Sequence, residues 1–198
     1  MELLEGIKSR RIEKTETFNG KIIPKELIIK LLEAADWAPT HGFTEPWRYL
    51  IYSGASLKKF CFLHAELYKS QTQDDSFSLT VYEKLKSKFL GVSHLLAIYA
   101  QNTNHPKISF HEEIVATACS IQNLLLTAND LGISAYWGTG GMTYHQGMKE
   151  ILQISEKTQV MGLIYLGYSD SFGTVQGKRV RAFDEKFSFI ELEENDKH

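Results

Sequence analysis

Residues 111–131 form the longest helical pattern in the chain, and they constrain the fold more than any other segment. Apolar side chains recur there at intervals of three and four residues, which places them on one face of an α-helix. Leu124, Leu126 and Val115 widen that face, so we predict that this helix lies in the middle of the protein. Gly132 is its predicted stop signal. The stripe itself consists of Ile114, Ala118, Ile121, Leu125 and Ala128.

Shorter helical and strand patterns surround this segment. The alternation of strands with helices after the first helices predicts a mixed α/β domain with one central sheet. The polar segment Ser70–Ser78 is predicted as a mobile loop, and the chain end as acidic and frayed. Helices are predicted at residues 2–10, from Pro24 to near Trp37, and at 56–69, 80–89 and about 143–152. Strands are predicted at Arg48–Ser53, His94–Gln101, Ile133–Trp137 and Val160–Tyr168.

Composition excludes several classes of protein. The chain has 198 residues, of which 43% are apolar, and this is enough for a sizeable core. Its net charge of -2 implies neither nucleic acid nor an anionic membrane as a partner. The long helix carries Gln122 and Asn123, so it is predicted as a core helix and not as a membrane span. We interpret Cys61 and Cys119 as reduced packing residues, and together with the charged N-terminus they predict a cytoplasmic protein.

Two basic clusters indicate an anion site. Arg10 and Arg11 follow the first helical pattern, where cations complement the dipole of a helix C-terminus. Guanidinium groups also bind phosphate in a bidentate manner, so a phosphate clamp is the alternative function. The tail adds a second cluster at Lys178, Arg179 and Arg181. Two clusters in a slightly acidic chain favour an anion site without establishing one.

The glycine-rich segment Trp137–Gly141, "WGTGG", lies between a strand and a helix. Glycine there lets a ligand approach the backbone, whose N–H groups can donate to it. An ordinary strand-to-helix turn explains the segment equally well. It is not the dinucleotide fingerprint, because the third glycine position holds Thr143. The sequence "HEEIV" at His111 differs from the zinc motif H-E-x-x-H, so we predict no metal site.

The segment Trp37–Trp47, "WAPTHGFTEPW", is unusually rigid and aromatic for a connection exposed to solvent. Two tryptophans flank two prolines, a glycine and His41. This histidine is a candidate acid, donor or ring-stacking group, although a lone loop histidine is more often structural or simply exposed. A loop exposed to solvent does not explain why this segment is so rich in aromatic and rigid residues.

The order of these pieces resembles the nitroreductase superfamily, and within it the short NAD(P)H nitroreductase type. The pieces are "SRR" near the start, "LLEAADWAPTHGFTEPWRYLIY", "ACSIQNLLLTANDLGISAYWGTGG", and "GLIYLGY" with a basic tail. The resemblance covers nearly the whole chain. It implies a single FMN-binding domain over residues 1–198, folded as an α+β three-layer α-β-α sandwich around a mainly antiparallel sheet. It also implies an intertwined homodimer with two FMN molecules at the interface and residues 111–131 at its core.

The resemblance assigns the predicted FMN contacts to three groups of residues. The phosphate and the ribityl chain would be held by Arg10, Arg11 and Ile12, together with Lys178 or Arg179, or else Arg181, from the tail. The isoalloxazine would pack on Trp137, Gly138, Thr139 and Gly140, whose backbone would offer an N–H near N5. The flavin of the opposite subunit would be reached by His41, with Thr40 and Trp37 nearby. The rigid aromatic segment would then be a wall buried by a second subunit.

The implied activity is that of an FMN-dependent NAD(P)H oxidoreductase. We expect a ping-pong cycle in which NAD(P)H passes a hydride to N5, leaves, and is replaced by an electron-poor acceptor such as a nitroaromatic compound or a quinone. Ile12 stands where the family usually has serine, and Gly138 where related chains carry arginine. These two departures keep open a flavin-binding protein without turnover, used for storage or regulation. A flavin-free interaction module that retains only the fold and the dimer is a third possibility.

Overall fold

The computed structural model describes residues 2–72 and 76–190. Part of the predicted loop at Ser70–Ser78 and the acidic chain end lie outside these residues. The helices are α1 (Leu3–Ser9), α2 (Lys25–Asp36), α3 (Gly54–Gln71), α4 (Leu79–Lys86), α5 (Phe110–Asp130) and α6 (Gln146–Leu152). The strands are β1 (Trp47–Ser53), β2 (His94–Ala100), β3 (Ser134–Gly138) and β4 (Gln159–Gly167). Short 3₁₀ turns lie at Thr15–Thr17, His41–Phe43 and Asp184–Lys186.

The four strands form one antiparallel sheet in the order β1-β2-β4-β3. Ala97 of β2 pairs with Leu50 on one side and with Leu163 on the other, and Trp137 of β3 pairs with Ile164. β1 and β3 are therefore the two edge strands. The prediction of a mainly antiparallel central sheet is confirmed.

Helices cover both faces of the sheet. On one face α2 and α5 pack together, and Leu31, Ile121 and Leu124 are fully buried against Ile164 of the sheet. On the other face α3 and α6 pack over a separate cluster of buried apolar residues, which includes Tyr165. These three layers are the α-β-α sandwich that the family resemblance implies. No helix within residues 2–72 and 76–190 is both long enough and apolar enough to cross a bilayer.

Helix α5 has its own start and stop signals. Ser109 and Glu112 form a capping box, in which each side chain accepts the backbone N–H of the other residue. Gly132, with φ of 68°, follows the helix as predicted. Three members of the predicted stripe, Ile121, Leu125 and Ala128, are buried, and the other two are partly buried. Val115, which was predicted to widen the stripe, is half-exposed. The helix therefore presents part of its apolar surface outward.

A bulge in the sheet makes room for the side chain of Trp137. The pairing of β2 with β4 shifts register between Ile98 and Tyr99, opposite Gly162. Gly162 has φ of 142°, a backbone conformation that side chains other than glycine rarely adopt. The indole Nε1 of Trp137 donates a hydrogen bond to the carbonyl of Met161 at 3.1 Å. This hydrogen bond fixes the side chain of Trp137 near the end of β3. Trp137 is also the first residue of the glycine-rich segment.

Helix α6 begins later than the sequence pattern predicts. The pattern predicts that the helix starts at about residue 143, whereas it begins at Gln146. His145 precedes it in an extended conformation, and its Nδ1 accepts the backbone N–H of Gly147 at 3.1 Å. A histidine cap is not among the common N-cap residues, so the pattern of apolar residues alone placed the start too early. The glycine-rich connection to β3 is correspondingly longer.

Candidate functional site

The structure brings together three arginines from the two basic clusters. Burial lowers the pKa of the Arg10 guanidinium, and the positive charges of Arg11 and Arg179 lower it further. Like charges held this close, and partly out of water, are favourable only when an anion compensates them. We call Arg10, Arg11 and Arg179 the arginine cluster, and it is the candidate anion site of this chain.

Arg11 also has a structural task. Its Nη1 donates to the carbonyl of Lys8 at 2.6 Å and to that of Arg10 at 2.8 Å, and its Nε donates to the carbonyl of Val175 at 3.2 Å. The guanidinium thus caps the end of α1 and fastens the tail to it. The helix-end interpretation of the pair is confirmed for Arg11. The phosphate clamp stays a prediction, for which Arg10 and Arg179 are the candidate cations.

The remaining predicted phosphate contacts are Ile12, Lys178 and Arg181. The carbonyl of Lys178 accepts a hydrogen bond from Arg179, and the carbonyl of Arg181 accepts one from Lys186 Nζ. Both side chains are exposed. Ile12 is half-exposed and directly follows the two N-terminal arginines. Of the three tail cations, Arg179 is the one whose charge acts on Arg10.

Edge strand β3 connects the arginine cluster to the glycine-rich segment. The backbone N–H of Glu13 donates to the carbonyl of Ala135 at 3.1 Å, so the chain after Arg11 runs beside the start of β3. Ser134 and Ala135 lie in the same recess as Arg10 and Arg11. From Ser134 to Gly138 the strand rises by about 14 Å, at about 3.4 Å per residue. A phosphate at one end and a planar ring at the other would match this separation.

A cavity of about 160 Å³ opens beside the glycine-rich segment. Gly138, Gly140 and Gly141 line one side of it, whereas Trp137 and Thr139 do not. The other walls come from α3, α4, the turn after α4, and the sheet. They include His64, Lys84, Leu85, Lys88, Tyr136 and Tyr165.

Burial lowers the pKa of two basic side chains in this cavity. The ammonium of Lys88 lies 4.5 Å from the ring centre of Tyr165 and 4.8 Å from that of Tyr136. Burial lowers the pKa of Lys88, and the nearby charge of Lys84 lowers it further. Burial also lowers the pKa of His64 to about 4, so its imidazole is neutral at pH 7. The cavity thus contains one cation held over aromatic rings and one neutral imidazole.

Sequence reasoning missed both of these cavity residues. Lys88 follows α4 in a segment that matches no motif, so its position beside the glycines was not accessible to pattern analysis. His64 did carry a signal, since it falls among apolar residues at helical spacing in α3: Phe60, Cys61, Ala65 and Tyr68. A histidine on the buried face of a helix requires a polar partner or a function.

The rigid aromatic segment lies at the opposite edge of the sheet. It precedes edge strand β1, whereas the glycine-rich segment follows edge strand β3, so at least about 14 Å of sheet separates them. The side chains of Trp37 and Phe43 are 88% and 90% exposed. Thr40 Oγ1 lies 3.0 Å from Thr44 Oγ1 within the turn. Within one chain, these residues are not brought to the cavity.

His41 in this segment is paired with a carboxylate. Its Nδ1 lies 2.8 Å from Oε2 of Glu112 at the start of α5. This contact, followed by hydrogen bonds from Ser109, lowers the pKa of Glu112 to about 2. Throughout the part of the chain that the structure describes, no group of three histidine, cysteine, aspartate or glutamate side chains could hold a metal ion.

The chain is similar to known proteins in both sequence and fold. Residues 7–168 match the model of the nitroreductase family. YfhC of Bacillus subtilis, which is named as an NAD(P)H nitroreductase, is 27% identical over 172 residues, 85% of this chain and 84% of its own. The crystal structure of a nitroreductase-like family protein from Bacillus cereus superposes with a TM-score of 0.82 and 27% identity, over 97% of each chain.

A more distant structure shares the fold. The FMN-dependent nitroreductase NfnB of Mycobacterium smegmatis, solved in complex with NADPH, superposes with a TM-score of 0.74 and 18% identity, over 95% of this chain and 97% of its own. The family resemblance inferred from the sequence motifs is therefore confirmed by a match over most of the chain. The chain belongs to the nitroreductase family.

Proposed function

We propose that this protein is an FMN-dependent NAD(P)H oxidoreductase that reduces an electron-poor acceptor such as a nitroaromatic compound or a quinone. The arrangement of the arginine cluster and the glycine-rich segment at the two ends of β3 carries the proposal. It provides cations for a phosphate, a strand-length spacing for a ribityl chain, and accessible backbone for a ring. The name of YfhC and the complex of NfnB support the same cofactor pair.

The described residues fit FMN in three respects. Arg10 and Arg179 provide positive charge for the phosphate, with Arg11 fixing the geometry of the chain around them. The glycines at 138, 140 and 141 leave a ring-sized cavity open at the end of β3. Lys88 provides a positive charge close to that cavity, where it would stabilise negative charge on a reduced ring.

The protein's own contribution to the reaction is positioning and electrostatics. When bound, FMN accepts a hydride at N5 from NAD(P)H and supplies reducing equivalents to the second substrate. The backbone between Gly138 and Gly140 would donate an N–H near N5, and the cations would hold the ring and phosphate in place. NAD(P)H and the acceptor would use the same exposed face in turn, which corresponds to a ping-pong cycle.

The active form in this proposal is an intertwined homodimer of single-domain chains that span residues 1–198. Trp37 and Phe43 together expose two large aromatic side chains, and Val115 exposes part of α5. Exposed apolar surface of this kind is typical of a protein interface. Since Trp37, Thr40 and His41 are distant from the cavity of their own chain, a second subunit would be needed to bring them to a flavin.

The first test is an absorbance spectrum of the purified protein, recorded under argon before and after NADPH is added. We expect a yellow protein whose flavin band bleaches. A yellow protein that neither NADPH nor NADH bleaches would contradict turnover and favour a flavin-binding protein for storage or regulation. A colourless protein that fails to take up FMN would contradict the proposal and leave an interaction module with the same fold.

A matched pair of variants tests the backbone donor. Thr139 is exposed between Gly138 and Gly140. Thr139→Pro removes its backbone N–H, whereas Thr139→Ala keeps it. We expect Thr139→Pro to bind FMN and to slow flavin reduction by NADPH at least about tenfold, the effect of one hydrogen bond to a charged state. Equal reduction rates in the two variants would refute a role for this N–H.

A further inference from the structure

His64 has a buried nitrogen that lacks a hydrogen-bond partner. The residue is 2% exposed, and its Nε2 has no partner among the described residues. One other buried side-chain atom, Ser134 Oγ, shares this property within residues 2–72 and 76–190. Folded proteins normally satisfy buried polar atoms, because an unsatisfied one has lost its water without compensation. An unsatisfied imidazole at the wall of a cavity indicates a partner that binds there.

The position of His64 defines what that partner contacts. A Cβ atom built on Gly141 would lie 3.1 Å from His64 Nε2, so the nitrogen lies next to the glycine-rich segment. The cavity of about 160 Å³ is lined by both. A volume of about 150 Å³ accommodates one benzene-sized ring. The cavity therefore has room for one six-membered ring, with His64 and Lys88 among its polar wall groups.

We propose that the pyrimidine ring of FMN enters this cavity and that His64 Nε2 forms a hydrogen bond to its C4=O and N3–H edge. This inference rests on the proposed function. In an isoalloxazine, C4=O is adjacent to N5, and N3–H comes next along the same edge. N5 is flanked by C4=O on one side and by the apolar C6–H edge on the other. Of these two edges, only the C4=O and N3–H edge can satisfy the unpartnered Nε2 of His64 beside Gly141.

The chemistry of His64 suits this edge. A neutral imidazole can present Nε2 either as a donor, to C4=O, or as an acceptor, from N3–H. Its environment favours the neutral form, since burial and the charge of Lys88 both oppose protonation. The same environment makes His64 a poor proton donor at neutral pH, which argues for a binding contact and against general acid catalysis.

Two variants of His64 separate a cofactor contact from a purely structural role. His64→Leu removes the unsatisfied nitrogen, so we expect the apoprotein to melt at the same or a higher temperature while binding FMN about five- to tenfold more weakly. His64→Gln restores a side chain that can donate or accept, and we expect it to recover most of the affinity. Leu57→Val changes packing on the same buried face of α3 and serves as the matched control, with unchanged affinity.

Two ligands show which part of FMN is contacted. Binding of FMN and of riboflavin to the apoprotein is measured by quenching of flavin fluorescence. His64→Leu should weaken both ligands by the same factor, because its contact is to the ring. Arg10→Ala should weaken FMN alone, because its contact is to the phosphate. Infrared carbonyl bands of the bound flavin should shift in His64→Leu and stay unchanged in Leu57→Val.

The outcomes distinguish a failure of the proposed function from a failure of the contact assigned to His64. If the wild-type apoprotein does not bind FMN, the proposed function fails. If it binds FMN, and both His64 variants retain wild-type affinity and carbonyl bands, the assignment of His64 is overturned while the proposed function stands. If His64→Leu loses affinity together with thermal stability, and His64→Gln does not recover the affinity, the role of His64 is structural and the inference is likewise overturned.

Discussion

Replacing Gly162 by alanine should destabilise the protein through the bulge that seats Trp137. A Cβ atom at position 162 would lie 2.1 Å from Nε1 and 2.7 Å from Cδ1 of Trp137. These distances are far below van der Waals contact, and the nearest atoms belong to a large ring held by its own hydrogen bond to Met161. The indole must therefore move, or the bulge must open.

The expected loss in the free energy of unfolding of Gly162→Ala has two components. A residue other than glycine at φ of 142° carries about 1–3 kcal/mol of backbone strain. Displacement of the indole adds the loss of the Trp137–Met161 hydrogen bond, about 1 kcal/mol. We expect the free energy of unfolding of Gly162→Ala to fall by about 3 kcal/mol, a large part of the roughly 5–15 kcal/mol typical of folded proteins.

Two other glycines are controls for these components. Gly132 has φ of 68° and nothing within 4 Å of a built Cβ, so Gly132→Ala carries backbone strain alone. Gly140 has open space and no positive φ, so Gly140→Ala carries neither component. Urea unfolding of the three variants, followed by tryptophan fluorescence at one fixed protein concentration, gives the comparison. The concentration is fixed because association of subunits would shift apparent stability.

The result that refutes this reasoning is equal stability of Gly162→Ala and Gly132→Ala. In that case the contact with Trp137 would contribute nothing beyond backbone strain. A functional consequence is expected as well, because Trp137 directly precedes the glycine-rich segment. Gly162→Ala should therefore bind FMN more weakly than Gly132→Ala at a urea concentration where both remain folded.

The remaining predictions concern charge, the tail and the interface. Glu112 has a folded pKa of about 2 against an ordinary value of 4.5, so its contribution to stability is complete above pH 4.5 and lost as the pH falls toward 2. Glu112→Gln should reduce the slope of stability against pH in that range, and an unchanged slope would refute a contribution from the Glu112 carboxylate. A Cβ at Gly177 would lie 2.1 Å from Nη2 of Arg11, so Gly177→Ala should displace that guanidinium and weaken FMN but not riboflavin. Equal weakening of both ligands would contradict this. Trp37→Asp should convert a dimer to monomers in light scattering, and an unchanged mass would refute an interface at that residue.

Much of the fold could be predicted because its signals are local. The spacing of apolar residues in 111–131 placed α5 within a residue of its start and end. Gly132 marked its end because glycine adopts the positive φ that follows many helices without a steric penalty. The motifs around Trp37 and Gly138 indicated the family, and a family match carries the three-layer architecture with it. The order of strands was not accessible from periodicity, since it depends on which strands pair across long separations in sequence.

The candidate site was predictable only in part. The two basic clusters and the glycine-rich segment stand out in the sequence, but the tail cation that interacts with Arg10 could not be chosen among Lys178, Arg179 and Arg181. The structure selects Arg179, because the path of the tail along Arg11 brings its charge near. Whether these residues contact FMN as the resemblance implies stays a prediction.

The sequence by itself determined which segments form helices and strands, which of these segments are buried, and the family. Those properties depend on residues that are close together in the chain, so local pattern and composition are enough to specify them. Only the tertiary structure decided that Arg11 fastens the tail at Val175, that Trp37 lies at the opposite edge from Gly138, and that His64 and Lys88 share a cavity with the glycines. These facts arise from contacts between distant segments, and from the removal of water by those contacts, which also sets the charge of His64.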